Sequence, residues 1–383
     1  MHVLIAPDHF GGALSAKEAA AALGRGWLHA GHDVTLVPMS DGERGLSEAV
    51  HGARGGRLLA VPTLGALGQH APATVLHLPE AGTAYIESAQ VLGPAGAGQG
   101  DAARRAEVGS SAGVADLLLA AMAAGARRVV IGAGASATHD AGAGLWLRLA
   151  ELLDVDVNAA QPWLALADLR RELQAVDVVV AAARGLPLTG LHGAGAALRR
   201  FSDISAVAAQ EIERRTSVFT TQAQRHAQQL PPVRPVLNTA APMIAARSEY
   251  AGVGGGIGFA LGLLGARVLP GAQVVAQEVG ISEAISAVDL VITGGATLDA
   301  DAMHDGVIAT IGRAAADLGL PAVAIAHQVH PNRRELAGVG ISAAYPVVDQ
   351  PLVPDPLRQA PAGTDLRRAL AERGDRLVRN WGR

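Results

Sequence analysis

The sequence predicts an α/β protein built on a parallel sheet. Three observations carry this. The first two strand-length apolar runs, Val3–Ala6 and Val34–Val37, are each followed by a loop and then a helical pattern. Polar and glycine residues follow the apolar runs along the chain: Asp8, Asp41, Gly294-Gly295 and His327. A central stretch, Val129–Gly144, feeds a β-branched run into a glycine-rich tract and then a helix.

The elements follow in order. Val3–Ala6 leads into Pro7-Asp8-His9-Phe10-Gly11-Gly12. Ser15-Ala16-Lys17-Glu18 reads as a capping box, with Ser15 at the N-cap and Glu18 reaching back. The helix continues through Leu28 and breaks at Gly31. Val34–Val37 is followed by a loop carrying Asp41, then a second helix. From Arg57 to Gln90 the pattern changes to short alternating strands, including Ala73–Leu78 and Thr83–Glu87, which predicts a more antiparallel second lobe. Gly93–Gly100 reads as a Gly/Ala-rich loop, and Ser111–Ala124 as a helix.

In the central stretch, Gly132, Gly134, Ser136, Thr138, Asp140, Gly142 and Gly144 fall on every second residue. Glycine lets backbone approach a ligand closely. The helix that follows offers N–H groups and a positive dipole end to an anion. Ser136, Thr138 and Asp140 add the hydroxyls and carboxylate that hold sugar-like hydroxyls or Mg²⁺. The competing reading is a tight strand–helix turn made small for packing. It is preferred for Gly142 and Gly144, whereas three polar groups together favour a site.

Val176–Ala182 is a further strand, and Ile204–Leu230 a long polar helix. Val233–Arg247 is ambiguous. Gly254-Gly255-Gly256 lie in a second glycine loop opening a helix. Asp289–Thr293 is read as a strand ending at Gly294-Gly295, and Ala322–Ala326 as one ending at His327. Asp365–Trp381 closes the chain as an amphipathic helix. Ligands of open α/β sheets bind beyond the carboxyl ends of the strands, so the residues at these ends are expected to converge on one cleft.

Composition sets bounds. A chain of 383 residues suggests two domains. Half its residues are hydrophobic but only 3% aromatic, so its core is built from Ala, Leu and Val. A net charge of −4 with mixed signs gives no nucleic-acid footprint. With no cysteine there is no disulfide frame and no Cys-based zinc site. No leader pattern and no apolar run of membrane length is present, so the expectation is a cytoplasmic protein with no membrane partner. There is no G-x-x-x-x-G-K-[ST], and the third glycine of a dinucleotide fingerprint is replaced by Ala137. Lys17 is the only lysine.

Taken together, the motifs resemble the glycerate kinase family, of the ATP-dependent type acting on D-glycerate. The family opening P-D-S-F-K-G-S-L-S-A is similar to Pro7–Ala16, and M-x-D-G-G-E-G-T to Met39–Leu46. I-E-M-A matches Ile86-Glu87-Ser88-Ala89, and G-G-S-A-T-N-D-G-G-A-G matches Gly134–Gly144. The later glycine loop matches Gly254–Gly258, and V-I-T-G-E-G-R-L-D matches Val291–Asp299.

The resemblance implies two α/β lobes, one with a parallel flavodoxin- or Rossmann-like sheet, and an active site in the interlobe cleft. The expected division is 1–56 plus 286–383 for the parallel lobe, with 57–285 inserted. ATP, Mg²⁺ and a small hydroxy acid such as D-glycerate are the implied ligands, and a homodimer is the assembly to test for. Asp8 and Asp140 would orient or deprotonate the acceptor hydroxyl. Asp41 and Asp299 would hold the metal. Ser136, Thr138, His139 and Glu87 would contact substrate. Gly132, Gly134, Gly254, Gly255, Gly256, Gly294 and Gly295 would cradle anionic groups.

Departures from the pattern cluster on phosphate-handling groups. The family lysine is Gly11, the Glu and Arg of G-E-G-R are Gly295 and Thr297, and the Gly-Glu pair is Glu43-Arg44. The family's G-P-Q-K-G has no counterpart around Arg199–Asp203. Phosphoryl transfer rests on positioning and charge neutralisation. Two alternatives therefore stand beside glycerate phosphorylation: a silent relative that binds a small acid or a partner, and a kinase of another hydroxy acid with His9, His139 and His327 lining a changed pocket.

Overall fold

The computed structural model describes residues 1–93, 101–200, 203–232, 244–348 and 364–382. The readings of a loop over Gly93–Gly100 and an ambiguous stretch over Val233–Arg247 fall for the most part outside the described residues, and that around Arg199–Asp203 in part.

Eleven strands among these residues follow in chain order. They are β1 (His2–Pro7), β2 (Asp33–Leu36), β3 (Arg57–Leu64), β4 (His70–Leu78), β5 (Thr83–Glu87), β6 (Arg128–Ala133), β7 (Asp177–Ala182), β8 (Arg267–Pro270), β9 (Leu290–Leu298), β10 (Ala322–Val329) and β11 (Ala343–Pro346). They form two sheets, and the chain divides into two compact units, residues 1–55 with 270–383 and residues 56–269.

The sheet of the first unit has the order β11-β10-β9-β1-β2, and every pair in it is parallel. Numbered within the unit this is 2-1-3-4-5, the flavodoxin-like order, whose ligand crevice opens between its first and third strands. Those strands are β1 and β9 here. Parallel strands covered on both faces read as continuous apolar runs, and Val3–Ala6, Leu290–Ile292 and Ala322–Ala326 are buried accordingly.

Helix Ala16–His29 begins at the expected capping box, with Ser15 and Glu18 each bonding the other's backbone N–H. Its Leu23 and Trp27 share a core with Val3, Ile5, Ile292, Val323 and Ile325, and with Leu366, Leu370 and Leu377 of helix Thr364–Trp381. Each such side chain contributes roughly 1.5–3 kcal/mol by leaving water. Gly26 lets the two helices touch, because a Cβ there would run into Asp375.

The second unit carries the order β3-β4-β5-β6-β7-β8. Its first three strands are antiparallel, while β5-β6-β7 run parallel. The carboxyl ends of β5, β6 and β7 therefore share one edge, with Glu87 paired to Gly132 and Gly132 to Ala181. The core is aliphatic around a few rings: Trp146 is fully buried, donates from Nε1 to the Ala260 carbonyl at 3.2 Å and leans on Phe219.

Two expected boundaries shift. β9 and β10 run on past Gly294-Gly295 and His327, because their pairing continues through Gln328↔Thr297 and Val329↔Leu298. The first unit resumes at Pro270 rather than 286. Helix Gly271–Glu278 packs on helix Leu46–Arg54, where Glu278 pairs with Arg54 at 2.8 Å.

Candidate active site

In the first unit, the end of β1 carries Asp8 to the switch point of the sheet. Pro7 pairs with Gly294, and the Asp8 N–H donates to the Gly294 carbonyl at 2.8 Å. Asp8 Oδ1 accepts from the His9 N–H at 2.7 Å. The loop after β2 is drawn in by Met39, whose N–H donates to the Pro7 carbonyl at 2.9 Å. Ser40 shapes that loop: its hydroxyl donates to the Arg44 carbonyl at 2.6 Å and accepts from the Gly42 N–H at 2.9 Å. Asp41 Oδ1 in turn accepts from the Glu43 N–H at 2.9 Å.

The result is a donor cluster. One ligand atom from each of Asp8, His9 and Asp41 lies within 4.8 Å of the others. Burial, then the charges of Asp41 and Glu43, push the Asp8 carboxyl well above the usual carboxylate range. Crowded, desolvated carboxylates of this kind mark a candidate functional site, and these three side chains could hold a metal ion. Gly295 lies beside them, and a Cβ added there would meet Asp8 Cβ at an ordinary contact distance of 3.7 Å. Gly294 is different, because its Cβ would strike the Ile325 carbonyl, so strand packing already requires a glycine. His327 stands edge-on to Phe10, with ring centroids 5.6 Å apart, and burial holds its imidazole below its ordinary value.

Asp299 does not join this cluster. It caps helix Ala300–His304, its Oδ1 accepting from the Ala302 N–H at 3.0 Å. The residue expected as a metal ligand thus stands at a helix N-cap, apart from the Asp8–His9–Asp41 cluster. Asp8, expected at the acceptor hydroxyl, lies beside Asp41.

In the second unit, the central loop is held by Asp140. Its Oδ2 accepts from the N–H of Ser111 at 2.8 Å, the hydroxyl of Ser111 at 2.9 Å and the N–H of Gly144 at 3.0 Å. Its Oδ1 accepts from the Gly142 N–H at 2.9 Å. The carboxylate thus serves the positive ends of two helices, Ala112–Ala123 and Ala143–Leu152. The anion expected at the second helix is the chain's own Asp140. Both oxygens are engaged, so Asp140 organises the loop.

The other loop residues sort by accessibility. Thr138 is buried and donates its hydroxyl to the Leu92 carbonyl at 3.1 Å, which is a structural bond. Ser136 is half-buried, and its Oγ accepts from the Thr138 N–H at 3.0 Å. His139 is 1% exposed, and neither ring nitrogen has a partner among the described residues. Burial and the charge of Arg215 push its imidazole down to about 4. Glu87 is half-buried at the end of β5. His9 and His327 belong to the first unit and His139 to the second.

The glycines of the two loops are held by backbone packing. Gly132 and Gly134 are buried, Gly132 within β6. Gly254 donates its N–H to the Gly134 carbonyl at 2.7 Å, and Gly255 accepts from the Ala141 N–H at 3.0 Å. Gly255 and Gly256 have φ of +68° and +114°, and a Cβ on either would enter the backbone of Thr138 or Ala141. The triplet exists so that two loops can pack backbone to backbone.

A model of the glycerate kinase family matches residues 3–379. The chain belongs to the glycerate kinase family. A Bacillus subtilis glycerate kinase is 29% identical over 365 residues, covering 91% of this chain and 90% of its own length. The glycerate 2-kinase of Escherichia coli is 28% identical and covers 91% of each. An uncharacterised Mycobacterium bovis protein is 32% identical over 353 residues, covering 91% of this chain and 84% of its own. Among solved structures, one from Salmonella typhimurium LT2, provisionally named glycerate kinase 2, superposes with a TM-score of 0.71 at 25% identity, covering all of both chains.

Sequence reasoning assigned Ser111 no role, yet its hydroxyl links Asp140 to the Leu145 N–H. Its place just before a helix is the local signal for it. Among the described residues, no single helix is long and apolar enough to cross a membrane.

Proposed function

We propose that this glycerate kinase family member transfers the γ-phosphoryl group of ATP to a hydroxyl of D-glycerate, with Mg²⁺ as the counterion, in the cytoplasm. The observation that carries the reading is the Asp8–His9–Asp41 cluster at the switch point of a chain matched end to end by the family model. The donor chemistry fits Mg²⁺, a hard cation bound through one or two carboxylates together with substrate phosphates. Asp8 and Asp41 would hold it, and the raised Asp8 carboxyl marks negative charge that a cation relieves. When bound, the metal neutralises charge on the transferring phosphoryl group. Ser136, half-buried on the central loop, is assigned to the acid, and Asp140 fixes the loop that presents it.

A second reading, a relative that binds a small acid without turning it over, is favoured by one observation. Gly11 and Gly295 stand where the family carries Lys and Glu: a Cβ at Gly11 would meet nothing within 4 Å, and one at buried Gly295 would only touch Asp8 Cβ at 3.7 Å and the His9 carbonyl at 4.0 Å.

Coupled ADP release with D-glycerate and Mg-ATP separates the two. Wild type is expected to turn over, and Asp8→Asn to lose at least roughly 100-fold in rate, the scale of one lost electrostatic contact. The melting temperature of Asp8→Asn should equal or exceed that of wild type, because a desolvated carboxylate crowded by Asp41 and Glu43 opposes folding. Glycerate-independent or absent ADP release from wild type would overturn the kinase reading.

A further inference from the structure

Helix Asp101–Val108 in the second unit buries three residues, Ala102, Arg105 and Ala106, which share one face at the i, i+3, i+4 spacing. The two alanines belong to one apolar cluster with Ala137 of the central loop, Leu198, Ile204, Ala209 and Ile212. Arg105 sits on that packed face and is only 6% exposed. Its guanidinium lies over Gly93, where an added Cβ would stand 3.1 Å from Cζ and closer still to Nη1. Gly93 follows Leu92, whose carbonyl takes the Thr138 hydroxyl. The arginine is thus fixed beside the Ser136–Thr138 loop, past the carboxyl ends of β5 and β6.

A buried guanidinium needs its charge and its five donors answered. Among the described residues, Arg105 has one ionic partner, Asp101, at 3.6 Å, one helical turn away and with a side chain 63% exposed. That distance is too long for a charge-assisted hydrogen bond. The side chain of Arg105 keeps 7% of its surface open, so it is not sealed. A rigid planar fork held in a buried position is the group that recognises a carboxylate through two parallel hydrogen bonds. The O–H of Ser136, next to Ala137, has no acceptor among the described residues and supplies a further donor on the same loop.

We infer that Arg105 binds the carboxylate of the hydroxy-acid substrate. The inference rests on the reading of the chain as a hydroxy-acid kinase and adds the residue that selects an acid over a neutral polyol. Arg105 orders no reacting atom; it sets affinity and charge selectivity for the acceptor.

The test is calorimetric titration of the full chain with D-glycerate, without nucleotide, for wild type, Arg105→Gln and Arg105→Lys. Two charge-assisted hydrogen bonds correspond to a weakening of roughly 100-fold in Arg105→Gln, and Arg105→Lys, which keeps charge but loses the fork, to roughly 10-fold. ATP affinity and the weak binding of glycerol should not change. Equal D-glycerate affinity in wild type and a folded Arg105→Gln overturns the inference. If Arg105→Gln does not fold, Arg105→Lys decides: a tenfold loss supports it and wild-type affinity overturns it. Failure of the kinase reading looks different. Wild type would then release no ADP with D-glycerate, while glycolate or D-lactate still bound in an Arg105-dependent way. A wild type that phosphorylates D-glycerate, with KM unchanged in Arg105→Gln, keeps the kinase and rejects the role of Arg105. A wild type that binds none of these acids rejects both.

Discussion

Asp140→Ala is expected to destabilise the second unit by about 4 kcal/mol, because it strands several backbone N–H groups at once. The carboxylate accepts four hydrogen bonds, three from backbone N–H groups and one from the Ser111 hydroxyl. Each donor left unpaired in a partly buried place costs roughly 1–3 kcal/mol, and neighbours in one network do not add fully. The Ser111 hydroxyl also accepts from the Leu145 N–H at 3.0 Å, so losing Asp140 unsettles the second helix start through Ser111 as well. Asp140→Asn keeps one acceptor oxygen and should lose about half as much. Urea unfolding measures the size, and hydrogen exchange across Val129–Leu152 locates it. If both variants stay within about 1 kcal/mol of wild type and exchange in that segment is unchanged, Asp140 is not the organiser of the loop. The contrast with Asp8→Asn is diagnostic: one carboxylate stabilises the fold, the other opposes it.

The second large effect is on acid stability. The His139 imidazole protonates near 6.5 when unfolded and only at about 4 in the folded protein. Between those values the unfolded chain binds more protons than the folded one, so stability falls as pH falls. The loss begins below pH 6.5, deepens towards pH 4 and totals about 3 kcal/mol; above pH 6.5 His139 contributes no pH dependence. His139→Asn carries no titrating group, so its unfolding midpoint should drop less over this window than that of wild type. Parallel urea midpoints for the two proteins from pH 7 to pH 4.5 would remove His139 as the cause.

Both predictions turn on residues that the sequence marked for a site. Strand-length apolar runs and a capping box are local signals, and the structure follows them: β1, helix Ala16–His29, β6 and the closing helix lie where the periodicity puts them. The antiparallel start of the second sheet was legible for the same reason, since alternation shows a half-exposed strand. The orientation of a carboxylate is not local. Asp140 is satisfied by Ser111, 29 residues earlier, and a pattern of alternating small and polar residues does not reveal that partner. Glycine is equally silent about its cause. Gly255 and Gly295 look alike in sequence, yet one is forced by a neighbouring backbone, whereas a Cβ on the other would make only ordinary contacts. Asp299 followed a strand like Asp8, but the strand ran on to Leu298 and turned the residue into a cap. Asp8 and Asp41 met because β1 and β2 are neighbours in a parallel sheet, which brings the residues after both strands to one edge.

The interruption of the first sheet has a consequence for how the chain acquires its structure during synthesis. β1 and β2 leave the ribosome first, but the strand that flanks β1 on its other side, β9, lies beyond the whole second unit. Two parallel strands alone do not hold together in water, so the N-terminal segment must wait, its apolar faces a liability for misassembly. The second unit contains its own sheet and core and is complete at Leu269. It is therefore expected to fold first and to shorten the gap that β1 and β9 must close. Pulse-labelled hydrogen exchange during refolding should protect β6 and β7 before β1; the reverse order would show that the interrupted sheet nucleates the molecule.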